Sequence, residues 1–280
     1  MSPLKVDPFM TELLIVLGVV VFSCALRSFN HRMLCKLGAL AILAATFLAV
    51  YLPTDSVLAG VCGLMLWFML PWVELLTRVR HLRLPVRRSL EQQPPPGHSR
   101  FPALTELTDE VEDAGFEYVA DTGWDWDGMN QFYRLFQHEG EKAEAAISLT
   151  EHDGVGWVSL SVTSRLDDGR TIRTTDIPFS SPMKIAPDVL TRQKPHSESF
   201  EDLLESHRDW LRALKVEDLV VKEKTEALVS LIEKETGQQI RHNLDAGLIE
   251  PGETAETVRY SWRGLFYLYF QLVKDMVRMC

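Results

Sequence analysis

Residues 57–76 read VLAGVCGLMLWFMLPWVELL, an apolar stretch with a single charged side chain, Glu74, close to its end. Two similar stretches precede it, Phe9–Leu26 and Leu37–Leu52. A helix needs roughly 20 residues to cross a hydrocarbon core of about 30 Å. The three stretches therefore predict a transmembrane anchor of three helices at the start of the chain.

Basic residues around these stretches predict how the anchor is oriented. The short connections on one side of the membrane hold eight of them: Arg27, Arg32, Lys36, Arg78, Arg80, Arg83, Arg87 and Arg88. The other side holds only Lys5. Because positive loops stay inside, we expect an outside N-terminus and a cytoplasmic C-terminal domain, at the plasma membrane if the source is bacterial.

A cleaved signal peptide is the alternative interpretation of the first stretch. Its apolar run is longer than the roughly 7 to 15 residues of a signal sequence, and the lysine before it is offset by Asp7. We therefore keep three spans. The charged residues beside the spans, Glu12, Lys36 and Glu74, lie near the ends rather than at mid-depth, which disfavours an ion or proton pathway.

Small residues recur at intervals of four in the second and third stretches. Ala41, Ala45 and Ala49 share one helical face, and Ala59 and Gly63 repeat the spacing. Such rows let membrane helices approach closely. They predict packing within one chain, with self-association of the anchor as the alternative.

Charge divides the chain sharply. Residues 1–90 carry nine Lys and Arg against four Asp and Glu, whereas residues 91–280 carry twenty against thirty-five, a net charge of −15. An acidic domain repels phosphate backbones, so we expect no nucleic-acid partner. The four cysteines lie in or beside the spans and at the last residue, which excludes a four-cysteine zinc site and fits a reducing compartment. We expect no cofactor.

The segment after the third span suggests two further features. Clustered arginines beside a membrane attract anionic lipid headgroups, which makes Arg78, Arg80, Arg83, Arg87 and Arg88 candidates for headgroup contact as well as orientation signals. Three consecutive prolines then follow in EQQPPPGHS, residues 91–99. They predict a semi-rigid linker between an anchor over 1–90 and a domain over 100–280.

The domain reads as one α+β unit, an antiparallel β-meander flanked by helices. A first helix is expected over Thr105–Ala114. Glycine-containing turns separate the later strand-like runs and are typical of hairpins. The expected strands are Phe116–Ala120, Gln131–Gln137, Ala143–Thr150, Trp157–Arg165 and Thr171–Ile177.

The second half of the domain is predicted to be mostly helical. An irregular loop is expected over Ser180–Ser199, where three prolines interrupt any period. The expected helices are Phe200–Leu214, Val216–Thr236, a piece ending near Asp245, and a last helix from Glu253 onward. The aromatic middle of the last helix, LFYLYF at 265–270, is too short to span a membrane. Burial in the domain, the inner leaflet and docking on the anchor all remain open for it.

The densest polar cluster is DTGWDWDG at 121–128, expected on a loop. Its candidate ligand-binding residues are Asp121, Trp124, Asp125, Trp126 and Asp127. The cluster does not match a calcium-binding loop, because the position that needs a bidentate glutamate holds Arg134. No metal site is therefore predicted. No pair of histidines has the spacing of a helical metal site. The Ser181–Lys184 serine–lysine pattern lacks its partner motifs.

These observations leave three hypotheses about function. The first, leaning away from catalysis, is a membrane-anchored protein-binding or sensory module in contact with the lipid bilayer and a protein partner. The second is a membrane-tethered enzyme or small-molecule-binding domain that uses the 121–127 cluster. The third is a subunit of a larger membrane complex whose spans are the interaction surface.

Overall fold

The computed structural model describes residues 8–29, 32–152, 154–195 and 197–279. Lys5, Asp153, His196 and Cys280 lie outside this part of the chain. The chain divides into two compact units. One comprises the chain up to His81 together with the residues from Leu265 onward, and the other is Leu82–Gly264.

Three long apolar helices make up most of the first unit: α1 (Pro8–Arg27), α2 (Arg32–Thr54) and α3 (Val57–Thr77). Each is long and apolar enough to cross a membrane. Many of their large apolar side chains are exposed, as expected where lipid rather than protein forms the surroundings. Ser56 caps α3 by accepting a hydrogen bond from the Ala59 N–H. The three predicted apolar helices are therefore present.

Polar side chains join these helices in pairs. The buried Ser23 hydroxyl donates to the Gly38 carbonyl at 2.6 Å, which links α1 to α2. The Trp67 indole N–H donates to the Thr46 hydroxyl at 2.8 Å, which links α2 to α3. Hydrogen bonds between helices contribute about 0.6 kcal/mol each in membranes, so these two favour packing within the chain.

The small-residue contact differs in detail from the expected row. Gly60 and Gly63 are buried, and an added Cβ would lie 2.5 Å from the Phe47 ring and 2.8 Å from Val50. Ala45 is buried, whereas Ala49 is exposed. The contact surface is therefore formed by glycines three residues apart, because the crossing of α2 and α3 brings Phe47 against position 60 rather than 59.

Helix α7 (Trp262–Met279) is the last element, and its residues from Leu265 onward belong to the first unit. The Trp72 ring of α3 stacks on Tyr269 with centroids 5.1 Å apart and meets Phe266 edge-on at 4.9 Å. Of the three positions left open for this helix, docking on the anchor is the one observed. These contacts to one indole account for Phe266 and Tyr269 of the aromatic run.

The second unit is built on an eight-stranded sheet ordered β2-β3-β4-β5-β6-β7-β8, with β9 paired to the end of β6. Strands β2 to β7 pair antiparallel, so the predicted antiparallel sheet is confirmed. The strands are β2 (Glu91–Gln92), β3 (Glu117–Trp126), β4 (Met129–His138), β5 (Ala143–His152), β6 (Val155–Leu166), β7 (Thr171–Thr175), β8 (Val189–Gln193) and β9 (Val220–Val221).

Three strands of this sheet occupy segments where none was expected. Strand β2 lies in the proline-rich linker and pairs with Thr122 and Gly123. Strand β8 lies in the predicted irregular loop and joins β7 in parallel. Strand β9 lies in the predicted 216–236 helix. Each is short and obtains its hydrogen bonds from a strand distant in sequence, which local periodicity does not report.

Helices α4 (Leu104–Asp113) and α5 (Phe200–Leu214) form one layer against the sheet. Ser199 caps α5 by accepting from the Asp202 N–H. Alternate residues of β5, from Ala143 to Leu149, point into a core that includes Phe136 and Phe200, both fully buried. The observed bounds of α5 are those predicted, because its cap and apolar period are both local signals.

Beyond α5 the chain departs from the predicted helices. Helix α6 begins only at Leu228 and continues to Asp245. A hairpin then replaces the expected start of the last helix: β10 (Ile249–Pro251) and β11 (Thr257–Tyr260) pair with each other, and β11 also pairs with β1 (Leu84–Pro85). Two buried residues, Ile249 and Val258, explain this hairpin through a core formed with distant segments.

Gly237 lies inside α6, where a helix break was expected, and an added Cβ would meet no atom within 4 Å. We expect Gly237→Ala to raise the free energy of unfolding by about 0.5–1 kcal/mol, because alanine restricts the unfolded chain and has the higher helix propensity. Urea unfolding of the full-length protein in detergent measures this. Gly264→Ala is the contrasting variant, since its Cβ would lie 1.9 Å from the Leu248 carbonyl oxygen. A destabilised G237A would contradict the prediction.

Candidate functional site

The face of the sheet opposite α4 and α5 is mostly polar at its centre and aromatic at one end. In register, Trp126, Met129, His152 and Val155 form one cross-strand row. Trp124, Gln131, Thr150 and Trp157 form another row. Side chains in the same cross-strand row share a face of the sheet. Five of these residues form what we call the tryptophan patch: Trp124, Trp126, Met129, Val155 and Trp157.

The patch contains both anchored and exposed side chains. The Trp126 indole N–H donates to the Arg83 carbonyl at 2.7 Å, and Trp124 is buried. By contrast, Val155 is 66% exposed and Trp157 is 44% exposed. The patch therefore places two held indoles of β3, at its inner edge, and two exposed apolar side chains of β6 on one face of the sheet, with His152 and Thr150 of β5 between them.

The predicted 121–128 loop is wrong in its secondary structure. Asp121 to Trp126 belong to β3, and only Asp127 and Gly128 form a turn, both with positive φ. Because side chains alternate along a strand, Asp121 and Asp125 point to the face opposite Trp124 and Trp126. The aspartates and the indoles therefore do not form one surface.

Asp121 is engaged in a buried ion pair. Both oxygens of its carboxylate accept hydrogen bonds of 2.8 Å from Arg134, whose guanidinium also donates to the Thr108 hydroxyl of α4. Hydrogen bonding to this carboxylate raises the pKa of Arg134. The pair ties β3 and β4 to α4. This geometry gives Asp121 a structural role.

Asp125 also has polar partners close by. Its carboxylate accepts hydrogen bonds from the Asn130 and Gln93 amides. Within the described ranges, no three His, Cys, Asp or Glu side chains come together in a way that could hold a metal ion. The carboxylates of 121, 125 and 127 thus lie apart on a strand and its turn.

The five juxtamembrane arginines have different surroundings. Arg78 pairs with Glu74, and Arg83 pairs with Glu253 at 2.6 Å. Arg80 and Arg87 are exposed. Arg88 is largely buried, with its guanidinium carbon 4.6 Å from the centre of the Trp124 ring. It therefore lies against the inner edge of the tryptophan patch. Contact with lipid headgroups does not explain this largely buried position.

Two glutamates and two arginines form a second buried cluster near the start of β7. Arg165 contacts both Glu144 and Glu235, and Arg173 donates to Glu235 at 2.8 Å. Burial raises the pKa of Glu144, and the hydrogen bond and attraction from Arg165 offset only part of this rise. Burial acts in the same direction on Glu235, but attraction to Arg173 and Arg165 outweighs it and lowers the pKa. The cluster holds α6 against the polar face.

His207 of α5 forms the third polar cluster. Its ring nitrogens contact the Ser164 hydroxyl at 3.0 Å and the Thr174 hydroxyl at 2.9 Å. Burial lowers the pKa of His207 to about 4. A serine paired with a histidine is a nucleophile arrangement, but both side chains are buried under α5, so the contact serves packing.

The sequence hypothesis named Trp124 and Trp126 as candidates but did not name Met129, Val155 and Trp157, which lie on the same face. The apolar residues around the β5–β6 turn were a usable signal, since a turn is normally polar. Register between strands, however, was needed to place them on the same face as the two indoles.

Comparison of the chain with protein-family models, curated proteins and solved structures gives no match. Its function therefore has to be argued from the geometry alone.

Proposed function

We propose that this protein is a membrane-anchored protein-binding module whose domain lies in the cytoplasm and whose tryptophan patch is the contact surface for a partner protein. The observation that carries the proposal is the exposure of Val155 and Trp157 on the sheet face that also holds the anchored Trp126. Tryptophan is enriched among the residues that dominate binding energy at protein interfaces.

The expected partner presents apolar side chains ringed by polar groups. An exposed apolar surface with a polar rim is typical of protein–protein interaction sites. The Arg83 carbonyl holds the Trp126 indole in place, so this side chain loses little entropy on binding. The acidic character of the domain further favours a partner with a basic rim.

The orientation proposal rests on the basic residues of the described connections. Arg78, Arg80, Arg83 and Arg87 follow the third helix, while the connection between α2 and α3 holds only Asp55 as a charged residue. Basic residues retained on the cytoplasmic side favour a cytoplasmic domain.

Trp157→Ser tests the contact surface, with Val158→Ser as its control. Val158 is the next residue of β6, is 40% exposed and points to the opposite face. We expect W157S to reduce the amount of a specific partner that co-purifies from native membranes in mild detergent by more than about tenfold, since interface hot spots contribute 2 kcal/mol or more. V158S should leave it unchanged.

Quantitative mass spectrometry of the proteins bound to full-length wild type and variants gives the readout. Circular dichroism confirms that both variants are folded. If the partner binds W157S as well as wild type, or if V158S removes it equally, the tryptophan patch is not the contact surface.

A further inference from the structure

Arg88 is a buried cation without a balancing anion. Its Nε atom is enclosed and has no hydrogen-bond partner. In the described part of the chain, no carboxylate forms an ion pair with it, and its contact to protein is the face of the Trp124 ring. Every other buried arginine discussed above has at least one carboxylate within hydrogen-bond distance.

The surroundings of Arg88 supply further donors. Tyr133 and Tyr260 are close enough to act electrostatically on Arg88, and Arg173 also acts on Tyr133. The Trp124 indole, which can only donate, bonds the Tyr133 hydroxyl and leaves the phenolic hydrogen for another acceptor. Burial lowers the pKa of Arg88, and the two tyrosines partly offset this. Among the described residues, Glu144 and Glu235 pair with Arg165 and Arg173, which leaves Arg88 without a carboxylate partner.

An uncompensated buried charge is costly. The effective penalty for a desolvated ion amounts to several kcal/mol, whereas a desolvated cation–π contact contributes about 2 kcal/mol. A bound anion would remove the imbalance and would accept hydrogen bonds from a guanidinium, which suits phosphate oxygens in geometry and charge.

We propose that Arg88, with the Tyr133 hydroxyl, binds a phosphate group at the inner edge of the tryptophan patch. Two sources share this chemistry, free phosphate and a phospholipid headgroup. The second is within reach of the chain, because Arg88 follows Thr77 of α3 by eleven residues, a span of at most about 40 Å. The two sources are separated by experiment.

The test is thermal unfolding of the full-length protein in non-ionic detergent micelles, followed by tryptophan fluorescence. Inorganic phosphate is compared with chloride at equal ionic strength. At a phosphate concentration about ten times Kd, the wild-type Tm should rise by about 3 to 6 °C. Arg88→Gln should abolish the rise.

Arg87→Gln is the matched control, because Arg87 is the adjacent, exposed arginine and the change in net charge is the same. R87Q should keep the full phosphate-induced rise in Tm. Tyr133→Phe provides a second variant, which retains the Arg88 cation. The phosphate-induced rise in its Tm should be about half that of wild type. If R88Q does not fold, the test rests on Y133F. A phosphate-induced rise in Tm of Y133F equal to that of wild type overturns the proposal.

The lipid arm repeats the measurement in phosphatidylcholine vesicles with and without phosphatidylglycerol. A rise that depends on phosphatidylglycerol, is lost in R88Q and is absent with free phosphate assigns the ligand to a headgroup. A rise with free phosphate assigns it to the soluble anion. No Arg88-dependent rise in either arm overturns the site. Partner co-purification is a separate readout, so this outcome is distinguishable from failure of the proposed function.

Discussion

Arg165→Ala is expected to lower the free energy of unfolding by about 3–5 kcal/mol. The Arg165 side chain is 8% exposed and contacts Glu144 and Glu235, which lie on different structural elements. Removing one partner of a buried ion pair leaves the remaining charges desolvated, which is the costly case. Here two carboxylates would remain with only Arg173, half as much positive charge as before. Urea unfolding of the full-length protein in detergent, followed by tryptophan fluorescence, measures the change.

Arg170→Ala serves as the control for this experiment. Arg170 also pairs with a carboxylate, Asp168 at 2.7 Å, but both side chains are 41% exposed. Exposed ion pairs contribute about 0–1 kcal/mol, so R170A should remain close to wild type. Equal effects of the two substitutions would mean that the cluster around Arg165 is solvated in solution.

Acidification is expected to destabilise the domain through His207. Its pKa is about 4 when folded and about 6.5 in an unfolded chain. Between these values the unfolded state binds a proton that the folded state does not, so stability is full above pH 6.5 and falls as the pH decreases toward 4. The difference corresponds to about 3 kcal/mol, a large fraction of typical domain stability.

His207→Gln isolates this contribution, because glutamine can hydrogen-bond but does not titrate. The free energy of unfolding, measured by urea titration at steps between pH 7 and pH 4, should fall more steeply in wild type than in H207Q. Carboxylates titrate in both proteins, so their contribution cancels in the difference between the two free energies of unfolding. Parallel curves would show that His207 takes up its proton in the folded state without cost.

Several features could be predicted because their signals are local. Apolar runs of membrane-spanning length mark the first three helices. Ser199, just before the helix, and apolar residues at helical spacing mark Phe200–Leu214. Alternating residues such as Val158, Leu160 and Val162 mark a strand with one buried face. In each case the residues that specify the element are also the residues that form it.

Other predictions failed where the deciding contacts are distant in sequence. Val220 and Val221 resemble a helix by period but pair with the end of β6. Asp121 and Asp125 resemble a polar loop but belong to a strand, because Arg134 neutralises Asp121 from the neighbouring strand. Gly237 resembles a helix end but lies within α6. In the first two cases a partner elsewhere in the chain overrides local propensity.

By itself, the sequence determined the three apolar helices and the antiparallel sheet, since hydrophobic length and alternation act within a segment. Tertiary structure decided which residues come together: Trp157 on the same sheet face as Trp126 through strand register, the aromatic last helix against Trp72, and Arg88 over Trp124. Register and burial depend on contacts between segments far apart in the chain. For that reason the unpaired charge of Arg88, which carries the proposed phosphate site, became visible only in the folded protein.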